Sequence, residues 1–227
     1  WGRTVRAHPR TVVTPSSVDE VREVVRMAAA AGRRIKAVGA GHSFTSIAQA
    51  DDVLMNLDAL SGLVRADSEH RLVTLGAGTR LHMIPGLLAP YGLAMENLGD
   101  IDSQSIAGAI STGTHGTSIG FRGIAAQVAG ALVVTGTGEL LRVDADHHPE
   151  LLPAVALGLG ALGILVEVTI RCVEAFDLRA QERVEPLPAV LQTLDERVRS
   201  ADHFEFFWFP HTSAVLTKTN TRVPAGE

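Results

Sequence analysis

The stretch AVGAGHSFTSIA, from Ala37 to Ala48, decides how this chain is interpreted. It follows a short strand pattern, RIKAV, and combines two glycines with a histidine and several hydroxyl side chains. Three structures have this composition: a cradle for phosphate, the start of a nucleotide-binding helix, or a tight turn that holds a histidine. The rest of the sequence has to distinguish among them.

The glycine spacing argues against the two commonest nucleotide-binding loops. A Rossmann fingerprint needs G-x-G-x-x-G, and here Gly39 and Gly41 fit but Phe44 occupies the third glycine position. A P-loop needs Gly-Lys-Ser/Thr, which is absent from the sequence. Backbone N–H groups of residues 38–43 can still form an anion-binding nest, with the Ser43 hydroxyl as an additional donor. A turn without any ligand is the simple alternative.

Two further segments are rich in small residues. Residues 97–123, NLGDIDSQSIAGAISTGTHGTSIGFRG, contain six glycines, and residues 158–164 read GLGALGI. Small residues let a ligand approach the main chain, although close packing of a helix against a sheet selects the same residues. Three such segments in one domain suggest an elongated ligand that is held at several places.

The hydrophobic pattern predicts an α+β fold. Residues 14–34 predict an amphipathic helix, with Ser17 and Glu20 at capping-box spacing and Gly32 at its end. Short strands are predicted at RIKAV, VLMNL and RLVTLGAG, and a hairpin is predicted around Thr135–Gly138. Helices and strands do not alternate as in a doubly wound parallel sheet, so an α+β arrangement is favoured.

The character of the sequence changes after about Phe176. The chain becomes more charged, with a predicted helix over residues 188–200 and an aromatic strand, HFEFFWFPH, at residues 203–211. We therefore predict two domains, residues 1–175 and residues 176–227.

Composition excludes several classes of partner. The chain has 227 residues, of which 46% are hydrophobic, so a sizeable core is expected. The net charge is −5 and no basic stripe is present, which excludes nucleic acid and an anionic membrane surface as partners. No apolar run reaches the roughly 18 residues of a membrane span. The chain begins at Trp1 and not at methionine, so further residues are expected before it.

The cysteine and histidine residues predict neither a disulfide nor a metal site. The single cysteine, Cys172, lies among strand formers, which predicts a core thiol in a reducing, cytoplasmic compartment. Nine histidines are present, but H-x-x-x-H and C-x-x-C are absent, and the adjacent His147 and His148 do not make a site.

The three glycine-rich segments, in this order, resemble the FAD-binding domain of the vanillyl-alcohol oxidase and p-cresol methylhydroxylase (PCMH) superfamily. Residues 38–63, VGAGHSFTSIAQADDVLMNLDALSGL, look like the aldonolactone oxidoreductases of that group, with alditol oxidases close by. STGTHGTS, GALGILVEVTI and DHFEFFWFPHT agree with it. The resemblance implies a PCMH-type FAD-binding domain of two α/β subdomains, followed by the beginning of an α+β substrate domain.

The resemblance also implies which residues bind FAD. His42 matches a position that, in many members, carries a covalent bond from imidazole to the flavin 8α carbon, whereas some relatives bind FAD non-covalently. His115 is interpreted as a structural residue beside the cofactor. Asp100 and Ser103 are interpreted as further neighbours of the cofactor. The implied contacts are Ala37, Val38, Gly39, Ala40, Gly41, His42 and Ser43 around the pyrophosphate; Ser105, Ile110, Gly113, Thr114, His115, Gly116 and Thr117 along the isoalloxazine and the remaining phosphate contacts; and Gly163 and Ile164 at the far end.

The activity implied by the resemblance is oxidation of a CH–OH group in an aldono-1,4-lactone. A hydride would pass to flavin N5 and the electrons then to O₂ or another acceptor. An alditol or sugar-alcohol oxidase and a flavin-binding fragment without catalysis are the alternatives. Family members are longer, so the catalytic residues are expected beyond residue 227. His203, Glu205 and His211 are candidates only, since a packed sheet face explains them equally well.

Overall fold

The computed structural model describes residues 2–226, which fold into short helices and three β-sheets. The strands are β1 (Thr11–Val13), β2 (Ile35–Val38), β3 (Val53–Asn56), β4 (Leu63–Asp67), β5 (Leu72–Gly76), β6 (Leu93–Met95), β7 (Val128–Val134), β8 (Leu140–Val143), β9 (Ile164–Glu174), β10 (Phe176–Pro186), β11 (His203–Trp208) and β12 (Ala214–Pro224). The helices are α1 (Val18–Ala30), α2 (Ile84–Leu88), α3 (Ile106–Ser111), α4 (Leu152–Ala156), α5 (Leu187–Gln192) and α6 (Leu194–Ser200).

The three sheets differ in strand direction. The first is parallel, in the order β1-β3-β2, and α1 connects β1 to β2. The second is antiparallel, in the order β4-β5-β9-β7-β8, and β6 pairs with the last residues of β9. The third is antiparallel, in the order β10-β12-β11. A small parallel sheet combined with two antiparallel sheets confirms the predicted α+β class.

Helix α1 forms where its capping signals predict it. The Ser17 side chain accepts a hydrogen bond from the Glu20 backbone N–H at 3.2 Å, which satisfies one of the free donors of the first turn. The Glu20 carboxylate accepts from the backbone N–H of Ser16 at 2.7 Å, so the capping box is shifted by one residue. Gly32, at φ +61°, follows the helix and supplies the left-handed residue that ends it.

The predicted hairpin is confirmed. The predicted single helix over residues 188–200 is wrong, because the structure has two short helices there. Strands β7 and β8 pair around the turn at Thr135–Gly138. In the C-terminal region, Thr193 separates α5 from α6. Its hydroxyl donates to the carbonyl of Ala189 at 2.9 Å and accepts from Nε of Arg197 at 2.8 Å. A threonine side chain that bonds back to the preceding turn competes with regular helix, and here it accompanies the break.

The hydrophobic residues form two clusters. The larger one joins the first two sheets and includes Cys172, which is 4% exposed; burial raises the pKa of its thiol to about 11 and confirms it as a core residue. The smaller one packs α5 against the third sheet through Val190, Phe204 and Val215. Two separate hydrophobic clusters are expected if a domain boundary lies near residue 175. The boundary itself stays a prediction. No helix within residues 2–226 is long and apolar enough to cross a bilayer.

An ion pair fastens α6 to the third sheet and predicts acid sensitivity. Nη1 and Nη2 of Arg197 each donate to the Glu185 carboxylate at 2.8 Å, and the Thr217 hydroxyl donates to it at 2.8 Å. These bonds lower the pKa of Glu185 from 4.5 to about 2. A lowered carboxyl pKa stabilises the fold above the unfolded value, and the stabilisation is lost as the pH falls from about 4.5 towards 2.

We therefore expect Glu185→Gln to lower the free energy of unfolding at pH 7 and to weaken its dependence on pH between 4.5 and 2. Urea unfolding at pH 7 and at pH 3 measures both effects. Glu182→Gln, on an exposed part of β10, is the control and should behave like the wild type. A parallel pH dependence in wild type and Glu185→Gln would refute this assignment.

Candidate cofactor site

An open cleft lies between the first two sheets, where β2, α3 and the beginning of β9 meet. It encloses about 1000 Å³, including the solvent at its mouth. Ten of the predicted contact residues line it: Ala37, Val38, Gly39, Ala40, Gly41, His42, Ser43, Ser105, Gly163 and Ile164. All three glycine-rich segments, far apart in the sequence, therefore meet at one site, the second through Gln104, Ser105 and Gly108.

The main chain is bare at two points of the cleft wall. Gly41 has φ +71°, and no atom lies within 4 Å of the place that a Cβ would take. At Gly160, with φ +75°, the nearest atoms to that place are 3.9 Å away. Gly39 differs, because a Cβ there would lie 2.4 Å from the Ser105 hydroxyl oxygen. Glycine is thus needed at position 39 for loop packing and at positions 41 and 160 for the left-handed backbone.

The charged residues of the cleft were missed by the sequence analysis. Lys36 lines the cleft, and its Nζ donates to the carbonyl of Leu159 at 3.0 Å. Leu159 also lines the cleft, so this hydrogen bond joins two parts of its wall. The carboxylate of Asp58 is bound by the Arg80 guanidinium. Among the described lining residues, Lys36 is the only lysine or arginine. The one available signal was its place in RIKAV, three residues before Gly39.

His42 is held at the rim of the cleft. Its Nε2 atom lies 2.7 Å from the hydroxyl oxygen of Ser103, which belongs to the second glycine-rich segment. His42 is half-buried and Ser103 is exposed. Ser103, predicted as a neighbour of the site, thus directly contacts His42, the residue predicted to carry the flavin.

The other predicted contacts in the second segment do not line the cleft. Ile110 is fully buried in the larger hydrophobic cluster. The Thr114 hydroxyl donates to the side-chain oxygen of Gln104 at 3.2 Å, and Gln104 lines the cleft, so Thr114 lies directly behind its wall. The His115 ring nitrogen Nδ1 lies 3.0 Å from the carbonyl oxygen of Gly116. For Ile110 and for Gly113, Thr114, His115, Gly116 and Thr117, a contact with the cofactor stays a prediction.

Two of the three catalytic candidates lie where the third sheet meets the second glycine-rich segment. Nδ1 of His203, which is 9% exposed, donates to the Thr117 carbonyl at 2.9 Å. Nζ of Lys218 lies 3.4 Å from the Glu205 carboxylate and 3.5 Å from that of Asp100. Although burial lowers it, the pKa of Lys218 is raised on balance by these two carboxylates. The third candidate, His211, is exposed in the turn between β11 and β12.

Arg222 fixes the same junction. Its guanidinium carbon lies 3.8 Å from the ring centroid of Phe121 and 4.2 Å from that of Phe176, and its Nη2 donates to the Glu96 carbonyl. Burial lowers the pKa of Arg222. Stacking of a guanidinium between two rings is a favourable and directional contact, so strand β12 is held firmly against the loop that follows β6.

These features together define a protein that binds a dinucleotide. Bare main chain, hydroxyl groups and one lysine are suited to a diphosphate, and the apolar walls are suited to flat rings. Within residues 2–226, no cluster of three His, Cys, Asp or Glu side chains is placed to hold a metal ion.

The chain belongs to the family of FAD-binding domains. The family model described as "FAD binding domain" matches residues 9–144, and the model described as "D-arabinono-1,4-lactone oxidase" matches residues 168–227. The resemblance inferred from the glycine-rich segments is thereby confirmed, and so is FAD as the cofactor.

Several curated proteins are similar to this chain. It is 39% identical over 215 residues to the L-gulono-1,4-lactone dehydrogenase of Mycobacterium tuberculosis, covering 94% of this chain and 49% of that protein. It is 35% identical to the L-gulonolactone oxidase of Scyliorhinus torazame, over 95% of this chain and 49% of that protein. It is 37% identical to the D-arabinono-1,4-lactone oxidase of Candida glabrata, over 97% of this chain and 43% of that protein. The chain therefore spans about half the length of these relatives, or somewhat less.

Solved structures share the fold. A His121Ala mutant of cholesterol oxidase from Brevibacterium sterolicum superimposes with a TM-score of 0.85 at 21% identity, over 93% of this chain and 45% of that one. A second structure of cholesterol oxidase from B. sterolicum superimposes with a TM-score of 0.82 at 22% identity, over 93% of this chain and 44% of that one. At this level of identity the likeness concerns the fold alone.

The residues present fit FAD. The cleft offers bare main chain at Gly41 and Gly160 for close approach, hydroxyl groups at Ser43 and Ser105, and apolar side chains such as Ile164. A diphosphate needs N–H and O–H donors with a positive charge nearby, and aromatic rings need apolar surfaces. Both requirements are met within one continuous cleft.

Proposed function

We propose that the complete protein is an FAD-dependent oxidoreductase that oxidises a CH–OH group of a sugar-derived aldono-1,4-lactone. The observation that carries this proposal is the match of residues 168–227 to the D-arabinono-1,4-lactone oxidase family, which follows the FAD-binding domain matched at residues 9–144. The similar proteins carry lactone dehydrogenase and lactone oxidase names, which supports a lactone over a polyol.

The chain's own residues would hold and orient the cofactor. The backbone N–H groups of residues 37–43 and the Ser105 hydroxyl would bind the pyrophosphate, with Lys36 supplying a compensating charge. Gly163 and Ile164 would contact the far end of the cofactor. Bound FAD would supply the redox chemistry by accepting a hydride from the substrate. His42 would carry a covalent bond to the flavin and so fix its position at the rim of the cleft.

The electron acceptor and the location are further parts of the proposal. Electrons would pass from the flavin to O₂ or to another acceptor, since both oxidase and dehydrogenase names occur among the similar proteins. We place the protein in the cytoplasm because its one cysteine is a buried thiol, which fits a reducing compartment. Reoxidation of the reduced flavin in air, and fractionation of the source cells, test these two points.

The substrate class is tested with the complete gene product loaded with FAD. Under anaerobic conditions, D-arabinono-1,4-lactone or L-gulono-1,4-lactone is expected to bleach the yellow flavin absorbance, whereas xylitol and sorbitol are expected to leave it unchanged. The measurement follows the flavin directly and does not depend on the natural acceptor. A panel with an artificial acceptor then ranks the lactones by kcat/KM.

Each other outcome points to a different function. Bleaching by the polyols alone would identify an alditol oxidase. Bound FAD that neither class reduces would indicate a flavin-binding protein without this activity. A colourless protein that takes up no added FAD would contradict the cofactor itself.

A further inference from the structure

Ser103 and His42 connect two glycine-rich segments that are 61 residues apart in the sequence. The Ser103 hydroxyl oxygen and Nε2 of His42 are separated by 2.7 Å, the distance of a good hydrogen bond. The hydrogen bond at one ring nitrogen restricts the orientation of an imidazole and selects its tautomer. The contact therefore acts on the chemistry of His42 as well as on its position.

The backbone around Ser103 is itself fixed. Donors from residues 80–82 bind the carbonyl groups of Asp102, Ser103 and Gln104 at 3.0, 3.2 and 2.9 Å. One of these donors is the Arg80 guanidinium, which also binds the carboxylate of Asp58 in the cleft wall. Three consecutive bound carbonyl groups leave the Ser103 backbone little freedom. The backbone from which the exposed Ser103 hydroxyl reaches His42 is thus held in place.

We propose that Ser103 is a positioning residue that orients the His42 imidazole for attachment to the flavin. This rests on the proposed function, in which His42 carries the cofactor. Attachment joins an imidazole nitrogen to the flavin 8α carbon. One hydrogen from the imidazole and one from the methyl group pass to the flavin ring, which gains two electrons, and O₂ or another two-electron acceptor then restores the oxidised flavin. Ser103 takes no part in these bond changes.

The rate of attachment tests this role. Apoprotein is mixed with FAD, and samples are precipitated with acid over time to measure the flavin that stays in the pellet. Ser103→Ala is expected to slow attachment about threefold to tenfold, the effect of losing one hydrogen bond of ordinary strength. Ser103→Thr keeps a hydroxyl group and is expected to restore most of the rate. Ser46→Ala makes the same change at an exposed serine four residues after His42 and should match the wild type.

The outcomes separate this inference from the proposal on which it rests. A wild-type protein that never yields acid-stable flavin overturns both the attachment at His42 and the role of Ser103. Wild-type attachment together with an equal rate in Ser103→Ala overturns the role of Ser103 alone. A Ser103→Thr variant as slow as Ser103→Ala, with unchanged thermal unfolding, also overturns it, because the hydroxyl group would then not be responsible.

Discussion

Replacing His42 with alanine is expected to abolish acid-stable flavin while leaving the fold intact. His42 is half-buried at the rim of the cleft, so truncation opens no cavity in the hydrophobic core. The main chain of residues 37–43, which would bind the pyrophosphate, is unchanged by the substitution. FAD should therefore still bind, but acid should release all of it. Absorbance of the pellet and of the supernatant after acid precipitation measures the two fractions.

His70→Ala is the matched control for this experiment. His70 is an exposed imidazole whose ring pairs with Asp67, on the turn between β4 and β5, and it does not line the cleft. Its loss should leave the flavin in the pellet. Colour that remains in the pellet of His42→Ala would show that the flavin is attached elsewhere. Wild-type flavin that moves entirely to the supernatant would show that binding is non-covalent.

Local signals in the sequence predicted the elements that depend on neighbouring residues. The Ser17 cap and Gly32 fix the ends of α1 through contacts within a few residues. The β7–β8 hairpin likewise follows from its own turn. The pairing of β9 with β5, β6 and β7 depends on strands far away in the sequence, and no local pattern specifies such partners.

The sequence predicted the part of the site that consecutive residues form. It did not predict the contacts between residues that are far apart in the sequence. Residues 37–43 run without interruption from the end of β2 into the loop that follows it. Their composition left a turn without a ligand open, and the resemblance of this continuous stretch to a family motif marked them as contacts. Lys36 reaches the cleft wall through the carbonyl of Leu159, which is 123 residues away. The Ser103 contact with His42 is of the same kind. A resemblance can mark such residues as neighbours, but the contact itself is a property of the folded chain.

The small residues of the second segment show why composition alone was ambiguous. At Gly116 a Cβ would lie 2.1 Å from the Leu98 carbonyl oxygen, so this glycine permits packing of one loop on another. Gly113 has φ +74° and lies beside the Leu157 side chain. Close packing and close approach of a ligand both exclude a side chain, and the sequence does not distinguish them.

A large loss of stability is expected from Gly163→Ala. Gly163 has φ +140°, and a Cβ there would lie 2.3 Å from the Val134 carbonyl oxygen and 2.9 Å from Cγ1 of Val133. The new methyl group would meet the backbone of β7 at the beginning of β9, where neither strand can move without breaking the sheet. Backbone strain and overpacking together should lower the free energy of unfolding by about 2–5 kcal/mol. Because Gly163 lines the cleft, FAD affinity should fall as well.

Urea unfolding of the apoprotein and titration with FAD measure these two effects, and Gly136→Ala provides the comparison. Gly136 lies in the turn just after β7, and nothing lies within 4 Å of the place its Cβ would take. Its φ is not positive, so alanine there should change the stability by less than about 1 kcal/mol. The contrast between the two glycines depends on the backbone conformation at each position and on what surrounds each added methyl group. Equal unfolding midpoints for the two variants would mean that β7 and β9 separate easily, and the narrow wall of the cofactor cleft would then have to be flexible.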